Sequence, residues 1–545
     1  MATHEVLNQP PPLVDYNLFA SDRALGTAVS REGAAWAARE LGELGARLGS
    51  AETIEWGFQA NRHAPVLHAF DRYGHRQDTV EFHSSWHALM ALGIDAGLHA
   101  APWAAPKPGA HVARAAGAFM LVQVESGVQC PITMTYGAVP ALRRQEEIAA
   151  EWLPRIFSRD YDRGFRPAGE KSGALVGMAL TEKQGGSDGT DVRANATRAA
   201  PLGSGGLYAL TGHKWFMSAP MCDAFLVLAQ APGGLTCFFM PRWTPDGGLN
   251  AIRVQRLKDK LGNKSNASSE VELEGAWALL VGEEGRGIPN ALEMGNYTRL
   301  DCAIGSAGLM RQAVAQAVHH ATHRTAFQRK LADQPLMARV LADLALEAEA
   351  AMALALRLAR AYDRQDDPGE TAFRRLVTPA AKYWICKRGP VLAAAAMEVL
   401  GGNGYVEESL MPRLYREAPV NSIWEGSGNI MCLDVLRALG RNAEAGTALR
   451  AELAAACGGD PRLDRFVVAL ETNLARAASD EGQARRLVEA MMLALQAALL
   501  ITGAPASVAD VFCASRLAGD WGHAFGTLPP GGDLRAIVER AAPTI

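Results

Sequence analysis

The chain has 545 residues, more than one hydrophobic core usually supports, so several domains or layers are expected. Its formal net charge of −4 excludes a chain-wide electrostatic pull toward nucleic acid or an anionic membrane, so any such partner has to be held by a local patch. Apolar residues at 49% against aromatics at 7%, with alanine and leucine dominating long stretches, favour packed helices over sheet.

The first thirteen residues are polar and Pro-rich, without the basic and apolar regions of a secretory signal. The eight cysteines (130, 222, 237, 302, 386, 432, 457 and 513) form no C-x-x-C pair and no metal-ligand spacing with histidine. They read as reduced thiols, and a cytoplasmic protein is expected.

Residues 1–172 alternate alanine- and leucine-rich segments with Gly/Pro punctuation, predicting an N-terminal helical domain. Within 173–284 the pattern shifts to short apolar or alternating runs at 207–210, 225–229, 236–240 and 270–273, separated by turn residues. A middle β-barrel-like domain is predicted there. Helical periodicity returns at 299–320, 337–364 and 374–400, predicting a helical bundle over 285–440. Residues 441–545 keep a helical composition and predict an appended helical domain. The apolar run 490–501 carries Gln496 and falls short of the ~18 to 20 residues of a membrane span, so it is read as a buried helix. The fold class expected is α+β, mostly α.

Three runs carry candidate chemistry. Leu180-Thr181-Glu182-Lys183-Gln184-Gly185-Gly186-Ser187-Asp188 combines hydroxyl donors with glycines that let a backbone approach a ligand, although such a loop is also an ordinary turn. Thr211-Gly212-His213-Lys214-Trp215-Phe216-Met217-Ser218 offers aromatic faces and a hydroxyl on one strand, as a flat heteroaromatic ring would need. The bland reading is a β-domain core with Lys214 in solvent. Ser422-Ile423-Trp424-Glu425-Gly426-Ser427-Gly428-Asn429 places Glu425 either as a catalytic base or as a helix-entry carboxylate suited to the helix dipole.

In this order the runs resemble the acyl-CoA dehydrogenase family, with its T-E-x-x-x-G-S-D, K-x-W-I-T, R-x-x-F-G, Q-I-L-G-G-x-G and I-Y-E-G-T stretches. The resemblance implies a helical, β and helical fold that binds FAD. By it, Leu180, Thr181, Gly186, Ser187, Phe216 and Ser218 surround the flavin, with Phe216 in place of tryptophan and Ser218 in place of threonine. Arg324-Thr325-Ala326-Phe327 places Arg324 and Phe327 at the pyrophosphate of a neighbouring subunit, with Gln328 where the family has glycine and Gln334 as the nearby polar residue. Glu398-Val399-Leu400-Gly401-Gly402 places Gly401 and Gly402 on the same dinucleotide, with Glu398 replacing glutamine; a carboxylate there has to be turned away or paired. Ser427 and Asn429 complete the cofactor set. Glu425 is implied as the base, Gly426 as leaving room for the acyl chain, and Arg299 as a residue on the substrate side; an ordinary salt bridge of Arg299 with Asp301 or another acid is the alternative.

Whole-chain similarity is to the AidB-type subgroup, on Asn8-Gln9-Pro10, Cys130-Pro131-Ile132-Thr133-Met134-Thr135, Lys258-Asp259-Lys260-Leu261-Gly262-Asn263 and residues 419–436. That resemblance implies α,β-dehydrogenation of an acyl-CoA thioester, an electron-transfer flavoprotein or another oxidant as acceptor, a homotetramer, and duplex DNA binding in alkylation damage. The composition of 441–545, with ten arginines, no lysine and twelve acids, is not that of a strongly basic DNA module. Arg437, Arg441, Arg485 and Arg486 are the candidate DNA contacts; solvated helix surface is their alternative role. An ordinary metabolic acyl-CoA dehydrogenase without a nucleic-acid role is the competing function.

Overall fold

A computed structural model describes residues 3–188, 195–203, 205–477 and 480–544. Packing groups the chain into two units, and not along the four-part linear division: one takes Glu55–Pro106 and Glu125–Thr298, the other Met1–Ile54, Lys107–Val124 and Arg299–Ile545. Residues 441–545 thus share a unit with the bundle helices.

The first unit is built on sheet. A hairpin, β1 (Val66–Phe70) and β2 (Arg76–Glu81), interrupts what the sequence suggested to be purely helical. Seven further strands form one sheet: β3 (Val176–Ala179), β4 (Arg198–Pro201), β5 (Leu207–Ser218), β6 (Ala224–Ala231), β7 (Gly234–Pro241), β8 (Ile252–Leu257) and β9 (Ser268–Val281). The pairings run β6-β4-β5-β9-β7 and return from β7 to β6, so five strands close a ring, with β3 on β6 and β8 on β9. Ring closure pairs the edges of those five strands, and β3 and β8 keep open ones. The helix Gln129–Leu142 is tied to β3 through Thr135, whose hydroxyl accepts from the Val176 N–H at 3.0 Å and donates to the Pro131 carbonyl at 2.8 Å.

The second unit is helical. Its long elements are α1 (Gly287–His323, from Arg299 on), α2 (Pro335–Asp363), α3 (Pro368–Val399), α4 (Gly428–Arg441) and α5 (Ala484–Gly503). Helix α2 begins with proline at its first turn, and Asp367 caps α3 by accepting from the Gly369 and Glu370 N–H groups. Helix α1 starts twelve residues before the predicted one, because Gly287 to Asn296 keeps helical spacing through mixed polarity. Helix α5 spans 20 residues, longer than the apolar run read from sequence, and by length and composition alone it could cross a membrane. It packs instead against α2, α3 and α4, and the Trp384 indole donates to its Gln496 at 3.0 Å.

Candidate active site

In the sheet unit a β-bulge shapes the aromatic surface. Along β5 the even positions Tyr208, Leu210 and Lys214 point inward, yet Met217 is also buried. Lys214 pairs with Val271 and Met217 with Ser269, so Trp215 and Phe216 together oppose Glu270. The extra residue switches strand parity and turns both rings outward. Phe216 is left 48% exposed, its ring edge-on to Trp215. Lys258 lies 3.3 Å from the Trp215 centroid and 4.6 Å from that of Phe216, and pairs with Glu270 at 2.6 Å.

The Thr181 loop is joined to this bulge directly. The Trp215 N–H donates to the Thr181 carbonyl at 2.8 Å. A Cβ on Gly186 would stand 2.6 Å from the Thr181 Oγ1, so only glycine lets the loop fold back over that hydroxyl. Leu180 and Thr181 are half-buried, while Gly186 and Ser187 are exposed. Ser218 Oγ lies 3.3 Å from Ser268 Oγ. Lys214 is not in solvent: it is buried, bound to Glu182 at 2.7 Å and to the Leu228 carbonyl at 2.7 Å. Glu182 also accepts from the Ala196 and Thr197 N–H groups. Burial opposes its ionisation, but Lys214 and these donors outweigh it and hold the carboxyl below its ordinary value.

In the helical unit Glu425 sits half-buried with φ +59, a left-handed conformation that costs a non-glycine residue about 1–3 kcal/mol. Two cations grip the strained turn. Arg299 Nε donates to the Glu425 carbonyl at 3.0 Å, and the Lys382 ammonium, 1% exposed, donates to the Gly426 carbonyl. The salt bridge expected for Arg299 is made with Asp434 at 3.1 Å, not with Asp301, which instead pairs with Arg114. Asp434 also holds Arg375 at 2.7 Å. Gly426 takes φ +109, and a Cβ there would collide with the Met431 methyl, so backbone conformation and local packing both call for glycine. Ser427 is the N-cap of α4 without a side-chain bond, and Asn429 accepts from Arg485 Nε at 2.9 Å.

The other cofactor candidates lie in the same unit. Thr325–Ala326 (β10) and Arg329–Lys330 (β11) form a two-residue hairpin turning through Phe327 (φ +48) and Gln328 (φ +64). Such a turn ordinarily takes glycine, so the loop keeps its tight form despite the substitution. Phe327 is 93% exposed, and Gln334 donates to the Ala326 carbonyl at 3.0 Å, bracing the hairpin. Glu398 is exposed; Gly401 takes φ +61 with nothing within 4 Å of a Cβ.

Three family models match in order: adaptive response protein AidB N-terminal domain over residues 8–163, acyl-CoA dehydrogenase middle domain over 177–276 and acyl-CoA dehydrogenase C-terminal domain over 285–440. AidB of Escherichia coli (strain K12) is 49% identical over 94% of each chain. The chain belongs to the acyl-CoA dehydrogenase family, in its AidB branch. Among solved structures, Caenorhabditis elegans ACDH-11 in complex with C11-CoA superposes with a TM-score of 0.85 at 27% identity, covering 95% of this chain and 94% of that one. The Bd2924 apo-form gives 0.82 at 30% identity over 91% and 99%.

As an acyl-CoA dehydrogenase the protein is an FAD-dependent oxidoreductase. Its residues fit that cofactor: an outward aromatic surface next to the Thr181 hydroxyl suits a planar ring, and Arg324 and the open Gly401 backbone suit a diphosphate. The sequence reading passed over Lys382, the Glu182–Lys214 pair and Lys258. A lone lysine in the apolar run Pro379-Ala380-Ala381-Lys382-Tyr383-Trp384 was the available signal for the first.

A cavity of about 510 Å³, lined among others by Trp86, His87, Tyr161 and Lys171, touches Leu175 at the start of β3. It is also lined by Ala219, which directly follows Ser218 at the end of β5. The four arginines proposed for DNA are exposed but not gathered: Arg485 reaches Asn429 at the start of α4, whereas Arg441 ends that helix. Twelve residues of helix separate them by about 18 Å.

Proposed function

We propose that the protein dehydrogenates an acyl-CoA thioester between its α and β carbons, with Glu425 as the base. The observation that carries this reading is the strained Glu425 turn held by Arg299 and Lys382, since a costly conformation so firmly held marks a functional carboxylate. The complex of ACDH-11 with C11-CoA supports an acyl-CoA as the ligand class.

The Glu425 carboxylate accepts the α proton, and N–H donors at the thioester carbonyl stabilise the negative charge that develops on its oxygen. FAD, when bound, supplies the two-electron acceptor for the hydride leaving the β carbon. Phe216, with Leu180, packs the ring, and Thr181, Gly186, Ser187 and Ser218 provide hydrogen-bond donors around it. Arg324 with Phe327, and the backbone of Gly401 and Gly402, hold the pyrophosphate of a neighbouring subunit's cofactor. Gln334 shapes the Arg324 loop, and Ser427 and Asn429 border the base. The reading takes the protein to be a cytoplasmic homotetramer, reoxidised by an electron-transfer flavoprotein or another oxidant. Anaerobic titration with acyl-CoAs of graded length tests the reading: flavin absorbance bleaches with at least one of them, and a flavin that none can bleach overturns it.

A second reading, duplex DNA association during alkylation damage, draws on membership of the AidB branch and on the exposure of Arg437, Arg441, Arg485 and Arg486. Phosphate contacts would make binding fall steeply as salt rises. Absence of binding at low salt removes this role and leaves the metabolic one.

A further inference from the structure

We propose that Asn8 and Gln9 are positioning residues of the dinucleotide site, clipping together the two segments that grip the cofactor diphosphate. The inference rests on the assignment of Arg324 and Gly401–Gly402 to that diphosphate, and it gives a task to the Asn8-Gln9-Pro10 run, which neither the fold nor the base explains.

The contacts are mutual and specific. The Asn8 carboxamide accepts from the Thr325 N–H at 2.9 Å and donates to the Thr325 carbonyl at 2.8 Å, so one side chain pairs with both backbone polar groups of that residue as a neighbouring strand would. The Asn8 backbone carbonyl accepts from Arg324 Nη1. One residue on, Gln9 Oε1 accepts from Asn403 Nδ2 at 2.8 Å, directly after Gly401 and Gly402. The Pro11 carbonyl then receives His319 Nε2 at 2.8 Å, anchoring the segment to the last turns of α1.

Each contact answers a local weakness. The hairpin carrying Arg324 has only two paired residues per strand and a turn strained at Phe327 and Gln328, so it is not stable by itself. The Thr325 peptide lies at its base, where the Asn8 pairing stops it from fraying. Arginine presents five N–H donors in a rigid fork; fixing one of them on Asn8 sets the plane of the guanidinium and leaves the others for phosphate oxygens. The Gly401–Gly402 turn gains no rigidity from side chains of its own, and Gln9 ties its next residue to the same dipeptide. Asn8 and Gln9 are themselves exposed, so the clip orders a ligand surface without contributing to the core.

The test uses the full chain stripped of flavin and reloaded. Asn8→Ala, Gln9→Ala, the double variant and Arg324→Ala are titrated with FAD and with riboflavin, which has the same ring but lacks both phosphates and adenosine. The clip predicts at least a tenfold loss of FAD affinity in the double variant, unchanged riboflavin affinity and an unchanged melting temperature of the flavin-free protein. Equal loss for FAD and riboflavin, or a lowered melting temperature, means a merely structural role and overturns the inference. Undiminished FAD affinity in the double variant, with Arg324→Ala weakened, also overturns it while sparing the diphosphate assignment. If Arg324→Ala itself binds FAD normally, the assignment fails and the clip with it.

Discussion

Glu182 and Lys214 form an ion pair of 2.7 Å from which solvent is excluded on both sides. It joins the loop that opens at Thr181 to the strand that bulges at Trp215, and so sets the ring surface from beneath. Removing one partner of such a buried pair leaves an uncompensated charge, at a cost of about 3–5 kcal/mol. Lys214→Met is therefore expected to lower unfolding free energy by that amount and to release flavin. Adding Glu182→Gln to it should restore much of the loss, and urea melts of the single and double variants measure both.

Replacing the base is expected to separate binding from chemistry. Glu425→Gln keeps the size of the side chain but removes the proton acceptor, so bound flavin is retained while its reduction by acyl-CoA slows by about 10²- to 10⁴-fold. Stopped-flow bleaching at saturating acyl-CoA reads this, and an unchanged rate excludes Glu425 as base.

Arg299 serves the Glu425 turn by bonding its carbonyl and Asp434 at once. Lysine, a point charge without the planar fork, cannot make both contacts. Arg299→Lys should slow flavin reduction about tenfold at saturating substrate, the loss of one charge-assisted hydrogen bond. An increase in KM with the saturated rate preserved would instead place Arg299 on the substrate.

Acid should destabilise the protein already below neutrality. Burial, reinforced by Arg114 and Arg374, lowers His111 to about 3, and burial with Arg163 lowers His87 to about 4, both from 6.5. As pH falls through 6.5 the unfolded chain binds protons that these folded imidazoles refuse, so stability drops from there down to the folded values. Asp363, raised by burial to about 6 despite N–H donors from His111 and Val112, works in the opposite sense between about 6 and 4. Burial lowers His319 and His320 as well and raises Asp223 and Glu349, so the histidine contribution is isolated by substitution: His87→Gln should flatten the decline. Denaturant melts at pH 7, 6 and 5 check it.

Particular residues show where the sequence was legible. Strands β5, β6, β7 and β9 coincide with apolar or alternating runs, because their inward positions must be hydrophobic whichever strand they pair with. The β1–β2 hairpin escaped because Val66 and Phe70 face solvent, so its apolar residues do not mark a core face. The bland reading leaves Lys214 in solvent because a charge in a strand ordinarily lies there; Glu182 and the Leu228 carbonyl make its burial tolerable.

By itself the sequence determined the main helical segments, strands β5, β6, β7 and β9, the order of the family's motifs and the identity of the candidate base, all of which depend on residue type and short-range spacing. The tertiary structure decided the parity switch that exposes Trp215 and Phe216, the partners of Arg299, the grip of Lys382 on the Glu425 turn and the clip from Asn8 to Arg324 and Thr325. Those contacts join residues from 44 to 317 positions apart. Local propensity reaches only a few residues along a chain, and what meets across such separations is set by how helices and strands pack.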